Sequence, residues 1–455
     1  VKGFVIMSAD QEYPEVTATT IAFGSCHRNK LVKPNQPRIW DAISDLKPDA
    51  FLWTGDTVYS PVKAGISSVE VLKHEYDELL NNSTIGYSNF LSNAMLKGYL
   101  EGGVHGTWDD HDFGANDYGE KMPQKEERRK LLFDFLGVTC KERRIRDGVY
   151  NSITFGMAPR KVKVIFLDTR SARQNHCIPS VGAVQIPFGL GSAIGCLTRW
   201  LSCGLKLNNM FERCRNGKML DETQWKWFEN QLESDAQINL IVSSVQVLTT
   251  NPAMESWGQF PMERERLLKL LNSSTESSSK RFALLSGDVH HGEISDSSRR
   301  WNLGSNDFSG QIIEVTSSGL THSCTDPFYG GLCSPVLDKF PKHRYEGKTV
   351  SGENYYTGKN FGSIHIDWGQ ADKSDDESMA INVHDNLGNV VLSTGILPLT
   401  KYSSHLSDAQ IPSILSPIDG HLIPFMVRVI FGLVVLISSL LIRRKFAKTI
   451  QKERL

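Results

Sequence analysis

The chain has 455 residues, 40% hydrophobic and 22% charged, with a formal net charge of −1. This is enough for one large domain or two ordinary ones with an ample core, and the composition is that of a globular protein. The near-neutral charge, with no Lys/Arg cluster in the body of the chain, excludes a general nucleic-acid binder.

The first apolar stretch, "ATTIAFGSC" (18–26), reads as a strand ending in a Gly-Ser turn. A helix follows over 36–50, stopped by Pro48, then an apolar strand in "FLWTGDTVY" (51–59) that enters a loop at Gly55. Residues 70–101 have helical spacing. "GVHGTWDD" (103–110) is a further strand running into "GTWDDHDFGANDYG" (106–119), which carries four aspartates, a histidine and an asparagine. Val162 to Leu167 form the next strand, with Asp168 at its end. Residues 177–214 read as loop. "DETQWKWFENQLESD" (221–235) is an amphipathic helix, and "INLIVSSVQVL" (238–248) and "RFALLSGDVHHGE" (281–293) are strands entering polar loops. The later runs "GQIIEVTSS", "FGSIHIDWG", "SMAINVHDN" and "VVLSTGIL" suggest more strands. No internal repeat is visible. Alternation of strands and helices predicts the α/β class.

The end of the chain has a different character. Residues 422–442, "LIPFMVRVIFGLVVLISSLLI", are apolar apart from Arg428, and 443–455 carry six basic residues against Glu453. About 20 apolar residues span a bilayer as a helix. The expectation is therefore a single transmembrane helix at 422–442 after a linker at 401–421, with 443–455 as a basic cytosolic tail and the catalytic body lumenal or extracellular. That orientation calls for a signal peptide, and residues 1–16 hold no long apolar core; a tail-anchored cytosolic arrangement is the alternative. Eight cysteines include four within 177–214 and the pair Cys324 and Cys333 around a Pro/Gly turn, a pattern that suggests disulfides. Sequons at Asn81, Asn82 and Asn272 would permit glycosylation.

The polar residues gather at strand ends: "GSC", "GDTVY", "WDDHD", "LDTR" and "GDVHH". Open α/β sheets form their sites at the carboxyl ends of strands, so these loops can converge while far apart in sequence. Singly each has a bland reading. A Gly-Asp pair occurs in many turns, Cys26 alone would be a small buried hydrophobe, and the acidic run alone a solvated turn. Five such loops after five apolar strands form the donor set of a metal hydrolase: carboxylate, imidazole, thiolate and phenolate.

In this order the motifs "FGSC … GDTVY … WDDHDFGAND … FLDTRSAR … SGDVHHGE … EVTSSGLTH" resemble the PhoD-like alkaline phosphatases of the metallophosphoesterase superfamily, over roughly residues 18–325. The resemblance implies a four-layer α/β/β/α sandwich over 18–400, after an N-terminal segment 1–17. It implies iron together with calcium, and hydrolysis of phosphomonoesters or diesters through a metal-bound water. Position by position it implies Cys26, Asp56, Tyr59, Asp110, Asp288 and His290 as metal ligands, with Asn116 as a further one and Asp56 bridging. His111 would protonate the leaving group beside Asp110, and Arg173 would hold a phosphate oxygen or pair with Asp168. The combined expectation is a membrane-anchored phosphatase or phosphodiesterase acting on a phosphate-ester substrate. The competing one is a catalytically silent surface binding module that keeps the fold.

Overall fold

Two sheets built largely from buried strands dominate the computed structural model, which describes residues 11–60, 65–96, 103–178, 190–204, 207–249, 251–276, 280–297, 312–326, 330–338, 354–369 and 377–399. In chain order the strands are β1 (Gln11–Tyr13), β2 (Thr20–Gly24), β3 (Ala50–Thr54), β4 (Val104–Thr107), β5 (Asn151–Phe155), β6 (Val162–Phe166), β7 (Ile238–Val242), β8 (Arg281–Ser286), β9 (Gly292–Asp296), β10 (Ile313–Ser317), β11 (Tyr355–Tyr356), β12 (Asn360–Asp367), β13 (Ser378–Asp385), β14 (Val390–Ser393) and β15 (Leu397–Pro398). One sheet runs β1-β5-β6-β7-β8-β10-β9-β11 and the other β14-β13-β12-β2-β3-β4, with β15 against β13. Within them β2, β3 and β4 are parallel, as are β6, β7, β8 and β10.

Strand alternation decides which side chains meet. Phe23 and Leu52 from one sheet and Val164, Leu240 and Leu285 from the other fill the core between the sheets. The opposite face of the smaller sheet, Ala22, Phe51 and Trp53, packs on Trp40, Tyr76, Phe90 and Leu132 from the helices Ile39–Asp45, Val69–Asn81, Tyr87–Leu96 and Lys125–Phe135. The opposite face of the larger sheet, Ile165, Ile241 and Leu284, packs on Trp225, Phe228 and Leu267 from Glu222–Leu232 and Pro261–Glu276. The layering is helix, sheet, sheet, helix. Strands with both faces covered read as continuous apolar runs, which is the appearance of "AFLWT" and "INLIV" in the sequence.

Several elements differ from the sequence reading. The helical stretch expected over 70–101 divides into Val69–Asn81 and Tyr87–Leu96. The segment read as loop between 177 and 214 contains the helix Leu190–Gly204. Gln11–Tyr13 pairs with Ile153–Phe155, so the larger sheet starts before residue 18. Disulfides join Cys177 to Cys214 and Cys324 to Cys333, while Cys26, Cys140 and Cys196 are free.

The transmembrane expectation is corrected. Among the described residues no helix is long and apolar enough to cross a membrane. The longest, Pro261–Glu276, has 16 residues with charges along it, where a span takes about 20 apolar ones. Residues 401–421, 422–442 and 443–455 lie outside the described residues. Apolar composition is a requirement for a span, but a span also needs one continuous helix that satisfies its own backbone, and none is found among the described residues. The C-terminal anchor, the membrane as a partner, and the lumenal or extracellular body with a cytosolic tail all rested on that helix, and nothing among the described residues supports them.

Candidate metal centre

The carboxyl ends of the parallel strands of both sheets meet at one edge, and a Ser25–Ser318 bridge ties the loop after β2 to the loop after β10 there. The loops leave their strands through sharp turns. Cys26, Asp56, Asp288 and His290 have φ of 64°, 49°, 72° and 60°, in the left-handed region that non-glycine residues adopt at a cost of about 1–3 kcal/mol each. Two Gly-Asp pairs are explained by crowding. A Cβ on Gly55 (φ 105°) would lie 2.6 Å from Asp109 Cβ, and one on Gly287 would lie 2.5 Å from Ser25 Oγ. Only glycine lets the Asp56 and Asp288 loops close on their neighbours.

The side chains converge accordingly. Cys26 Sγ lies 3.6 Å from Asp56 Oδ2 and 3.0 Å from Ser318 Oγ. The Tyr59 hydroxyl donates to Asp56 Oδ2 and lies 3.2 Å from His290 Nε2. His111 stacks on the Tyr59 ring at 4.0 Å, its main-chain N–H donates to Asp56 Oδ1 at 3.2 Å, and its Nε2 is 3.8 Å from Asp110 Oδ1. Donor atoms within 4.8 Å of one another form the groups Cys26/Asp56/His290, Asp56/Asp110/His111 and Asp56/Asp109/Asp110/Asp288. Asp56 is common to these three, and a fourth group, Asp110/Asp117/Glu255, lies beside them without it. Asn116 is half-buried on the turn that follows, where the neighbouring Asp117 N–H donates to Asp110 Oδ2 at 2.7 Å.

Such a cluster is electrostatically costly when bare. Burial and the charges of Asp110, Asp109, Asp112 and Asp288 push Asp56 well above the usual carboxylate range. Burial, then neighbouring carboxylates, does the same to Asp288. Burial raises Asp109 to about 7 even though Arg170 opposes it, and raises Asp112 to about 8. Burial and Asp56 push the Cys26 thiol and the Tyr59 phenol up. Burial lowers His290 to about 3 and holds His111 below its ordinary value. Asp109 Oδ2 and Asp110 Oδ1 are buried and accept no hydrogen bond. A cation fits all of this. It gives the orphaned oxygens a partner and reverses the repulsion that disfavours the charged carboxylates, thiolate and phenolate.

Around the cluster lies a buried ion network. Arg170 binds Asp109 Oδ1 through Nε at 2.6 Å and grips Glu255 with Nη1 and Nη2 at 2.9 and 3.2 Å. Arg173 donates to Glu255 and to the carbonyls of Asp117 and Tyr118. Arg199 binds Asp117 at 2.5 Å, and His176 Nε2 is 3.4 Å from Glu255. Burial disfavours the Glu255 anion, but Arg170, Arg173 and His176 outweigh it and hold its carboxyl well below the usual range.

The structure thus brings Cys26, Asp56, Tyr59, Asp110, His111, Asp288 and His290 together. It puts Arg173 in the surrounding network, paired with Glu255. Asp168 instead accepts from Trp108 Nε1 and from the main-chain N–H groups of Val149, Arg170 and Ser171. Asp112 fastens the acidic turn to the Asp56 loop through the Thr57 and Asp109 N–H groups, at 3.0 and 2.6 Å. The sequence reading gave no role to Asp109, Glu255 or His322. His322 Nε2 lies 3.1 Å from His290 Nε2, and the signal for it was present: it closes the loop after an apolar strand, as the assigned ligands do. Glu255 carried no such signal.

A family model described as PhoD-like phosphatase matches residues 21–374. No curated protein sequence matches. Among solved structures, the chain is similar to one of PhoD, at 16% identity and a TM-score of 0.44 over 86% of this chain and 72% of that one. It is also similar to the purple acid phosphatase PPD1 from seeds of yellow lupin (Lupinus luteus), at 11% identity and a TM-score of 0.43 over 87% of this chain and 58% of that one.

Proposed function

The chain belongs to the PhoD-like phosphatase family and is a metal-dependent phosphoric ester hydrolase; from that premise we propose how its residues divide the work. The observation that carries the proposal is the position of Asp56 between two unlike donor sets. On one side are the thiol of Cys26, the phenol of Tyr59 and the imidazole of His290, a set that suits iron. On the other are the carboxylates of Asp109, Asp110 and Asp288, an oxygen set that suits calcium. Asp56, common to both sets, would help hold both cations, and Asn116 would add its amide oxygen to the oxygen side. Bound there, the cations supply Lewis acidity to the phosphoryl oxygens and activate the attacking water.

The chain's own groups do the rest. His111 keeps 29% of its side chain exposed while its ring stacks on Tyr59 and its Nε2 lies 3.8 Å from Asp110 Oδ1. That exposed ring beside Asp110 makes His111 the group that would deliver a proton to the departing alkoxide once substrate and cations are bound. Arg170 orients Asp109. Arg173 acts through Glu255, since its Nη1 is engaged by Glu255 and its Nη2 by the carbonyls of Asp117 and Tyr118. The test is elemental analysis of the purified chain with turnover of a panel of phosphate monoesters and diesters. Iron and calcium in comparable amounts, with turnover lost on chelation and regained on reloading, is expected. Iron bound with no calcium, or turnover untouched by chelation, would remove the proposal.

A further inference from the structure

Arg28 lies two residues beyond Cys26, and its main chain is pinned to the loop after β10. Its N–H donates to Thr321 Oγ1 at 2.6 Å, and that hydroxyl donates to the Arg28 carbonyl at 3.3 Å. Its guanidinium carbon stands 5.5 Å from the centroid of the Tyr59 ring. That ring in turn stacks on His111 and meets His322 edge-on at 4.7 Å. Arg28 therefore sits at the metal cluster, half-buried. The other arginines of this region are tied: Arg170 and Arg173 to Glu255, Arg199 to Asp117. Among the described residues the Arg28 guanidinium has no carboxylate partner, although carboxylates crowd the adjoining loops.

A cation kept beside an anionic cluster yet unpaired is available to an anion from solution. We propose that Arg28 binds a non-bridging oxygen of the substrate phosphoryl group and selects phosphomonoesters over phosphodiesters. This rests on the hydrolase reading above. A monoester presents three non-bridging oxygens and up to two negative charges; a diester presents two and one. A planar guanidinium fork matches the additional oxygen and charge. The aromatic face beneath it holds the fork in place through a cation–π contact.

The experiment uses metal-loaded protein, with 4-nitrophenyl phosphate and methyl 4-nitrophenyl phosphate as a pair sharing one leaving group, and inorganic phosphate as a binding probe by calorimetry. A charge-assisted hydrogen bond is worth about 1.5–3 kcal/mol, so Arg28→Ala is expected to lower monoester kcat/KM about 10–140-fold, mainly through KM. Diester turnover should change less than about threefold, phosphate binding should weaken in step with the monoester, and metal content should stay the same. Arg28→Lys should restore part of the monoester loss, because it keeps the charge and loses the fork. Equal losses on both esters, unchanged phosphate affinity, or loss of metal in Arg28→Ala each overturn the assignment. So does wild-type protein that hydrolyses the diester alone. If the loaded wild type cleaves neither ester, the hydrolase reading itself fails, and Arg28 fails with it.

Discussion

Glu255→Ala probes the buried network that supports the cluster. Glu255 is 2% exposed and is the acceptor for two arginines, with Arg170 Nη1 and Nη2 at 2.9 and 3.2 Å and Arg173 Nη1, while His176 Nε2 lies 3.4 Å away. Removing one partner of a buried ion pair costs about 3–5 kcal/mol, because the other charge remains buried and uncompensated. Two features keep the loss within that range. Arg170 retains Asp109, and Arg173 retains the carbonyls of Asp117 and Tyr118. At about 2–4 °C per kcal/mol for a domain of this order of size, the melting temperature should fall by roughly 6–20 °C. Glu255→Gln should be almost as harmful, since its amide turns two donors toward Arg173 or Arg170. Scanning calorimetry on metal-free and metal-loaded protein measures this, with urea unfolding as a second readout. Metal loading should recover part of the stability, because Asp109 still faces Asp56. A melting temperature within about 1–2 °C of wild type in both states would refute the claim that Glu255 balances these arginines.

The other predictions concern the metals and the proton donor. Cys26→Ser and Tyr59→Phe should each lower iron content and weaken a visible charge-transfer band, as seen by elemental analysis and absorption spectra; unchanged content in both would remove these residues from the ligand set. His111→Ala should keep its metals while turnover falls about 10²–10⁴-fold, less for esters whose leaving group needs no proton. Loss of metal as complete as in Asp56→Ala would make His111 a ligand. Metal-free protein should lose stability as pH rises. Asp109 and Asp112 are raised to about 7 and about 8 from 3.8, so their contribution is full below pH 3.8 and is lost as pH climbs through those values. Bound cations should flatten that fall; a metal-free melting temperature that rises from pH 5 to 8 would contradict it.

The sequence by itself determined most of the buried strands and where they end, though not Gln11–Tyr13 or Asn151–Phe155. Buried strands such as Ala50–Thr54 must be apolar on both faces, so the polar residue that follows each run marks a strand end. Four of those ends carried the donors that the structure gathers, and no tertiary information was needed to name Cys26, Asp56, Asp110, Asp288 and His290. The pairing of charges was another matter. Glu255 is 85 residues from Arg170 and lies in no motif, and only the approach of its loop to the end of β6 makes it the acceptor for two arginines. The same holds for the division of labour among the arginines. Arg173 follows a motif and is consumed by a buried acid, while Arg28 follows a cysteine and is left open. Sequence records which residues carry charge. Whether a charge is spent inside the protein or offered to solvent depends on which loops the two sheets bring within a few ångströms of each other, and in this chain that was decided at the edge where Ser25 meets Ser318.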